Sequence, residues 1–224
     1  MPIETLDFAQ PFFRVQHITD ERRISIEGRA IVLNLGGRNL SVEDQTIAPL
    51  SSVIVQDSTL RGVERAVIVH DFDAHADDNE LFAWVKDTWP SAFVVRQEER
   101  LRGVSHYMSP KVFVGNVGLT MYHSGSVPLN VGLHKDHPFC PVPGFREVHT
   151  QIVGFGKMQQ CRERDVETLY LEEFMAPGTT HKPMYDAEGN YPWHQYETIT
   201  PSIFMAVEML PEGVRAPEME VQNG

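Results

Sequence analysis

The 224-residue chain carries only two cysteines, Cys140 and Cys161. Two thiols do not make a disulfide framework, so the fold has to be held by a packed core. Cys140 reads as a small buried hydrophobe. Long apolar runs are missing too: none approaches the roughly 18 residues that cross a bilayer. Residues 1–20 lack a basic start followed by an apolar block, so no secretory signal is read and a cytoplasmic location is expected by default. Positive charge is scarce, with 19 Lys and Arg against 31 Asp and Glu and a net charge of −12. That balance excludes nucleic acid and anionic membrane as partners, because both need clustered Lys and Arg. The acidic runs Asp71–Asp78, Glu163–Glu173 and Glu208–Glu220 read as solvated surface. There is no internal repeat and no low-complexity stretch.

What the chain does have is 42% hydrophobic residues, sixteen Gly and fifteen Pro, spread along its length. That composition suggests many turns and short strands. Residues 1–109 read as mixed α and β. Ile24–Asn34 alternates and then turns apolar, and Ser52–Val55 and Ala66–Val69 are short apolar runs; all three are expected strands. Leu81, Trp84 and Val85 fall at helical spacing. They predict a helix capped by Asp77 or Asp78 and stopped at Pro90. Ala92–Arg96 reads as a further strand. From Val112 the pattern becomes almost purely β, with strands expected at Val112–Val114, Val117–Tyr122, Leu129–His134, Glu147–Phe155, Thr168–Phe174 and Thr198–Glu208. Turn signals separate them, as in a sandwich or barrel. Residues 211–224 form a polar tail.

Ten His occur in the chain, and His134, His137, His149, His181 and His194 fall within the β-rich segment. Strand side chains alternate faces. Glu147, His149 and Gln151 therefore share one face, and Val148, Thr150 and Ile152 the other. A polar triplet on one face suits a barrel whose interior is a site. His134 and Asp136 point the same way in a strict strand, and His137 joins His134 only if the strand ends or bulges, which Pro138 favours. The tight turn in Met175-Ala-Pro-Gly-Thr-Thr-His181 can swing the next strand inward and aim His181 at the same cavity.

These segments resemble the two motifs of the cupin superfamily. Gly132 precedes His134, and Glu147 is followed after six residues by Gly154, as in the first motif. Pro177-Gly178-Thr179-Thr180-His181 keeps the Pro, the Gly and the Gly-to-His spacing of the second. Two departures stand out: the His pair is HxxH rather than HxH, and one residue is missing between Pro177 and Gly178. The resemblance covers roughly residues 110–210. It implies a mainly β fold, a cupin-like double-stranded β-helix barrel over 110–210, with residues 1–109 as an N-terminal α/β extension or degenerate barrel. It implies His134, His137, Glu147 and His181 as metal ligands, with His149 competing for one place. Three imidazoles and a carboxylate suit a divalent metal, Fe(II) first and then Mn, Ni or Zn. His149 or Tyr191 would supply acid–base help.

The implied function is a metal-dependent enzyme on a small polar metabolite, leaning to a non-haem iron dioxygenase, in a homodimeric protein. Two alternatives stand beside it. One is a non-redox isomerase, epimerase, dehydratase or lyase using the metal as Lewis acid. The other is a non-catalytic small-molecule-binding barrel. His134-Lys135-Asp136 with a distal His181 or His194 also resembles the facial triad of 2-oxoglutarate-dependent oxygenases, but no Arg follows the distal His at a suitable distance. His194 is read as a loop histidine. Tyr122, Gln151, Tyr191 and Trp193 are candidate pocket residues. Lys135 and Lys182 are expected to face solvent.

Overall fold

The computed structural model describes residues 2–75, 80–129, 132–135, 144–185, 190–211 and 213–214. Strands dominate it. The N-terminal half contains β1 (Ile3–Leu6), β2 (Arg14–Ser25), β3 (Arg29–Asn34), β4 (Leu40–Val42), β5 (Gln45–Ile47), β6 (Ser52–Gln56) and β7 (Thr59–His70). A connecting segment holds α1 (Leu81–Thr88) and α2 (Ala92–Arg96). The C-terminal half adds β8 (His106–Met108), β9 (Val112–Val114), β10 (Val117–Ser124), β11 (Arg146–Val153), β12 (Gly156–Cys161), β13 (Leu169–Met175), β14 (Trp193–Thr198) and β15 (Ser202–Met209).

The strand order defines the architecture. In the C-terminal half β10, β15 and β11 are neighbours. Residues 178–181 run beside β11 through Gly178 N–H to Gln151 O, Gln151 N–H to Thr179 O and His181 N–H to His149 O. The facing sheet is β13–β12–β14. His134 lies along β14, exchanging both backbone hydrogen bonds with His194 at 3.0 and 2.9 Å. Counting these eight segments in chain order, the first sheet runs 1-8-3-6 and the second 2-7-4-5. That is the order of a double-stranded β-helix, and the barrel is cupin-like.

The N-terminal half follows the same order with fewer, longer strands. The first part of β2 pairs with the second part of β7, which pairs with β3, which pairs with β6. The remainder of β2 pairs with the first part of β7, which pairs with β4, which pairs with β5. Each long strand therefore serves both layers. Asp20 (φ 52°) and Gly62 (φ 68°) sit at the change of direction, where a left-handed residue bends the strand.

Three apolar layers follow from strand alternation. Ala30, Val32, Ala66 and Ile68 face inward with Leu40, Ile47 and Leu60, so the first barrel is filled by aliphatic side chains. Their neighbours Ile31, Leu33, Val67 and Val69 face the other way and pack on Leu119, Met121, Val148, Ile152, Met205 and Val207 of the second barrel. The two barrels thus lie back to back on a shared core. The inner face of the second barrel carries Tyr122, Met158, Tyr196 and Phe204, together with the polar residues described below. Among the described residues, no helix is long and apolar enough to cross a membrane.

Several sequence-based expectations need correction here. Ala92–Arg96 is a helix, not a strand: Ser91 Oγ accepts the Val94 N–H at 3.3 Å as an N-cap. A five-residue apolar run does not distinguish the two by periodicity. Ile24–Asn34 is not one strand. It divides into the end of β2 and β3 around Gly28 (φ 69°), whose N–H is taken by Asp57 Oδ1 at 2.8 Å. The helix read before Pro90 is present as α1, and the Trp89 N–H closes it on Val85 O; Asp77 and Asp78 lie outside the described residues. β12 and β14 went unread as strands. β12 lacks apolar alternation because its Gln159 and Gln160 bond neighbours within the sheet, Gln195 and Glu172 for the first and Tyr170 for the second.

Candidate metal centre

A small cavity of about 60 Å³ opens inside the second barrel. Glu147 and His149 reach it from β11, His194 and Tyr196 from β14, and Phe204 from β15. His134 borders it from the segment beside β14. The parity read from the sequence accounts for the β11 pair. Glu147 and His149 point inward, Gln151 follows on the same face and accepts from Tyr196 Oη at 2.8 Å, and Val148 and Ile152 join the shared core.

The histidine tautomers follow from their partners, because a backbone carbonyl only accepts. His134 Nδ1 lies 3.2 Å from Gly132 O, and His194 Nδ1 lies 3.0 Å from Pro192 O. Both rings therefore carry the proton on Nδ1 and the lone pair on Nε2. Their centroids are 4.4 Å apart. His181 Nδ1 donates to Lys182 O at 2.7 Å, so its Nε2 is an acceptor. That nitrogen takes the His149 backbone N–H at 2.9 Å and stands 3.0 Å from His149 Nδ1. The His149 Nδ1 proton goes to His181, which leaves the His149 lone pair on Nε2. This atom faces Glu147 Oε1 at 3.4 Å. Two electron-rich atoms so placed are complementary to a cation between them, either a proton or a metal ion. Ligating histidines characteristically donate their other N–H to a carbonyl or similar partner.

His181 itself is buried and does not border the cavity. It stands behind His149 and fixes that ring's tautomer. Burial, reinforced by neighbouring His149, holds its pKa down at about 3. The sequence reading took His181 as a ligand and His149 as competing for one of the four places; here His149 borders the cavity and His181 packs behind it. His137, and with it Asp136, lies outside the described residues. Tyr191, read as an acid–base residue, has its hydroxyl oxygen on the Glu147 backbone N–H at 2.9 Å, where it fixes the start of β11. Lys135 and Lys182 are exposed as expected, and Lys135 sits 5.3 Å over the Trp193 ring.

The donor chemistry fits a divalent transition ion. His134, His149 and His194 each carry a basic Nε2, and Glu147 is a carboxylate only 6% exposed. Among the described residues, no three His, Cys, Asp or Glu side chains are gathered closely enough to hold a metal ion as they stand. The donors border one cavity without being gathered into a closed ligand set.

Beneath Glu147 lies a second carboxylate. Glu208 is its cross-strand partner on β15 and forms a buried ion pair with Lys111, Nζ to Oε2 at 2.5 Å. Burial, and then the adjacent Glu147 charge, raise the Glu208 pKa. Arg96 and Arg100 also border the cavity. Sequence reasoning passed over both, since they lie in the segment read as a strand and just beyond it. It also left His194 in a loop, although His194 and Tyr196 sit two apart and share one face of β14.

No protein-family model matches the chain, and no curated protein matches it. Solved structures similar to it include the R92A mutant of Bacillus subtilis oxalate decarboxylase, at 10% identity, covering 95% of this chain and 76% of that one with a TM-score of 0.34. An 11S globulin from Wrightia tinctoria is similar at 6% identity, over 93% of this chain and 79% of that one, with a TM-score of 0.33. The cupin-like fold rests on the strand order of this chain.

Proposed function

We propose that the second barrel is a metal-dependent enzyme site acting on a small polar metabolite, with His134, His149, His194 and Glu147 as the protein donors. The observation that carries this reading is the hydrogen-bond chain from Lys182 O through His181 to His149, which leaves the His149 lone pair facing the Glu147 carboxylate at 3.4 Å. His134 and His194 carry the lone pair on the same nitrogen and border the same cavity. A divalent ion there would supply Lewis acidity and open positions for a substrate oxygen or dioxygen. The chain's own contribution is to fix each ring's tautomer, exclude bulk water and hold the carboxylate. Tyr191 acts in this reading as a positioning residue for Glu147. The first barrel, formed by β2 to β7, is assigned a scaffold role because its interior is filled by aliphatic side chains.

The redox branch, a non-haem iron dioxygenase, is proposed as the finer reading. Its test is elemental analysis of purified wild type, Glu147→Ala and His194→Ala. About one equivalent of iron, lost in both variants, supports it and leads to dioxygen-uptake assays. Zinc, manganese or nickel at the same stoichiometry keeps the site and moves the chemistry to an isomerase, epimerase, dehydratase or lyase. A second reading, a non-catalytic binding barrel, is favoured by the open arrangement of the donors, since a proton shared by His149 and Glu147 satisfies that pair equally well. Wild type that takes up no metal on reconstitution would establish this second reading over the first.

A further inference from the structure

Two cationic side chains border the cavity that the histidines line. Arg96 ends α2 and Arg100 follows one short turn later, and both border the cavity. Gln97 adopts a left-handed conformation (φ 54°) that ends the helix and redirects the chain, so that residues four apart face the same space. The segment is anchored on both sides. Ala92 and Leu101 are buried in the barrel core, and the Met108 N–H holds Pro90 O at 3.0 Å. Glu98 bridges the two guanidiniums, to Arg96 Nε at 2.6 Å and Arg100 Nη2 at 2.5 Å. Arg96 Nη1 donates to Tyr122 Oη at 3.2 Å. These contacts use Nε and Nη1 of Arg96, and a guanidinium has five N–H donors in a planar fork that matches a carboxylate. Two further titratable groups bordering the cavity are uncharged at neutral pH: burial holds His106 down at about 3 and pushes Tyr122 up to about 12.

We infer that the cavity takes a small carboxylate, held by Arg96 and Arg100 within the space that His134, His194 and Glu147 also line. This deepens the reading of the same site and rests on the cavity being where substrate binds. The size is set by the roughly 60 Å³ available, room for on the order of five non-hydrogen atoms at about 10–15 Å³ each. A monoanion is favoured over phosphate, because the Glu147 carboxylate bordering the same cavity repels a second negative charge. A planar carboxylate also presents both oxygens to a guanidinium edge.

The test is isothermal titration at pH 7 with glycolate, ethylene glycol and inorganic phosphate. It is run on the protein as purified and again after chelation, so that anion binding and metal binding are read separately. Glycolate is expected to bind in both states, and ethylene glycol, which lacks the carboxylate, in neither. Arg96→Gln and Arg100→Gln should each weaken glycolate at least tenfold without changing metal content. Arg100→Lys keeps the charge, guards against misfolding and should lose a smaller factor. Glycolate binding that is absent from folded wild type, or unchanged in all three variants, would overturn the inference, as would phosphate binding tighter than glycolate. Glycolate binding by wild type that takes up no metal on reconstitution would count against the proposed metal site and leave the carboxylate pocket standing.

Discussion

Replacing Lys111 by Met breaks a buried ion pair in the second barrel. Lys111 and Glu208 have side chains only 7% exposed each, with Nζ and Oε2 at 2.5 Å. Glu147 lies directly across the β11–β15 ladder from Glu208. Removing one partner of a buried pair leaves an uncompensated charge and costs about 3–5 kcal/mol. For a chain of this size that corresponds to a fall in Tm of roughly 6–20 °C, at about 2–4 °C per kcal/mol. The cost should depend on pH. Burial and Glu147 already raise the Glu208 pKa, and the variant raises it further. An acid with a raised folded-state pKa binds more protons folded than unfolded, so stability falls as pH rises through the window above the usual Glu range. The penalty should therefore be largest at neutral pH and shrink toward pH 4. Adding Glu208→Leu to Lys111→Met should recover most of the loss, because a buried pair replaced by apolar residues is near neutral. Thermal melts of wild type, single and double variants between pH 4 and 8 decide it. A single variant within about 0.5 kcal/mol of wild type, the range of an ordinary surface substitution, would refute the reasoning.

Three other outcomes are expected. His181→Ala should keep the bound metal while destabilising the fold by about 1–3 kcal/mol, since the His149 N–H loses its acceptor; His194→Ala should lose the metal, and elemental analysis beside a denaturant titration separates the two. Gly178→Ala places a Cβ 2.5 Å from Ile54 Cγ1 at φ 83°, so urea unfolding should show a loss of about 1–3 kcal/mol. His106 and His123, held by burial at about 3 and about 4, bind protons in the unfolded chain first. Stability should fall as pH drops below about 6.5, each group adding up to about 1.4 kcal/mol per pH unit, and a His123→Asn variant should flatten that slope in pH-dependent melts.

Much of the second barrel was legible from residue patterns. β9 matches its expected bounds, β10, β11 and β13 lie within a few residues of theirs, and β15 starts four residues late. The inward face of β11 followed from alternation alone. β12 and β14 went unread because their inward or paired residues are polar, so the apolar signal that marks a strand is weak in them, and the three-residue β8 went unread as well. His181 shows a different limit. Its spacing after Pro177-Gly178 places it correctly beside β11, opposite His149, but spacing does not say which of two adjacent rings reaches the cavity. The order of the two barrels was hidden as well. Long strands β2 and β7 each serve two layers, and the first barrel is packed with aliphatic residues where the second is polar, so the two halves share a strand order without sharing a residue pattern. Arg96 and Arg100 became visible only once Ala92–Arg96 was seen to be helical and capped by Ser91.

The central claim, that the histidines and Glu147 of the second barrel bind a metal ion, is tested most directly by X-ray absorption spectroscopy on the protein loaded with one equivalent of zinc. Imidazole scattering from at least two histidines, with nitrogen and oxygen neighbours at about 2.0–2.2 Å, is the expected result, and it should weaken in Glu147→Ala and His194→Ala. A spectrum with oxygen neighbours only, unchanged in both variants, would contradict it.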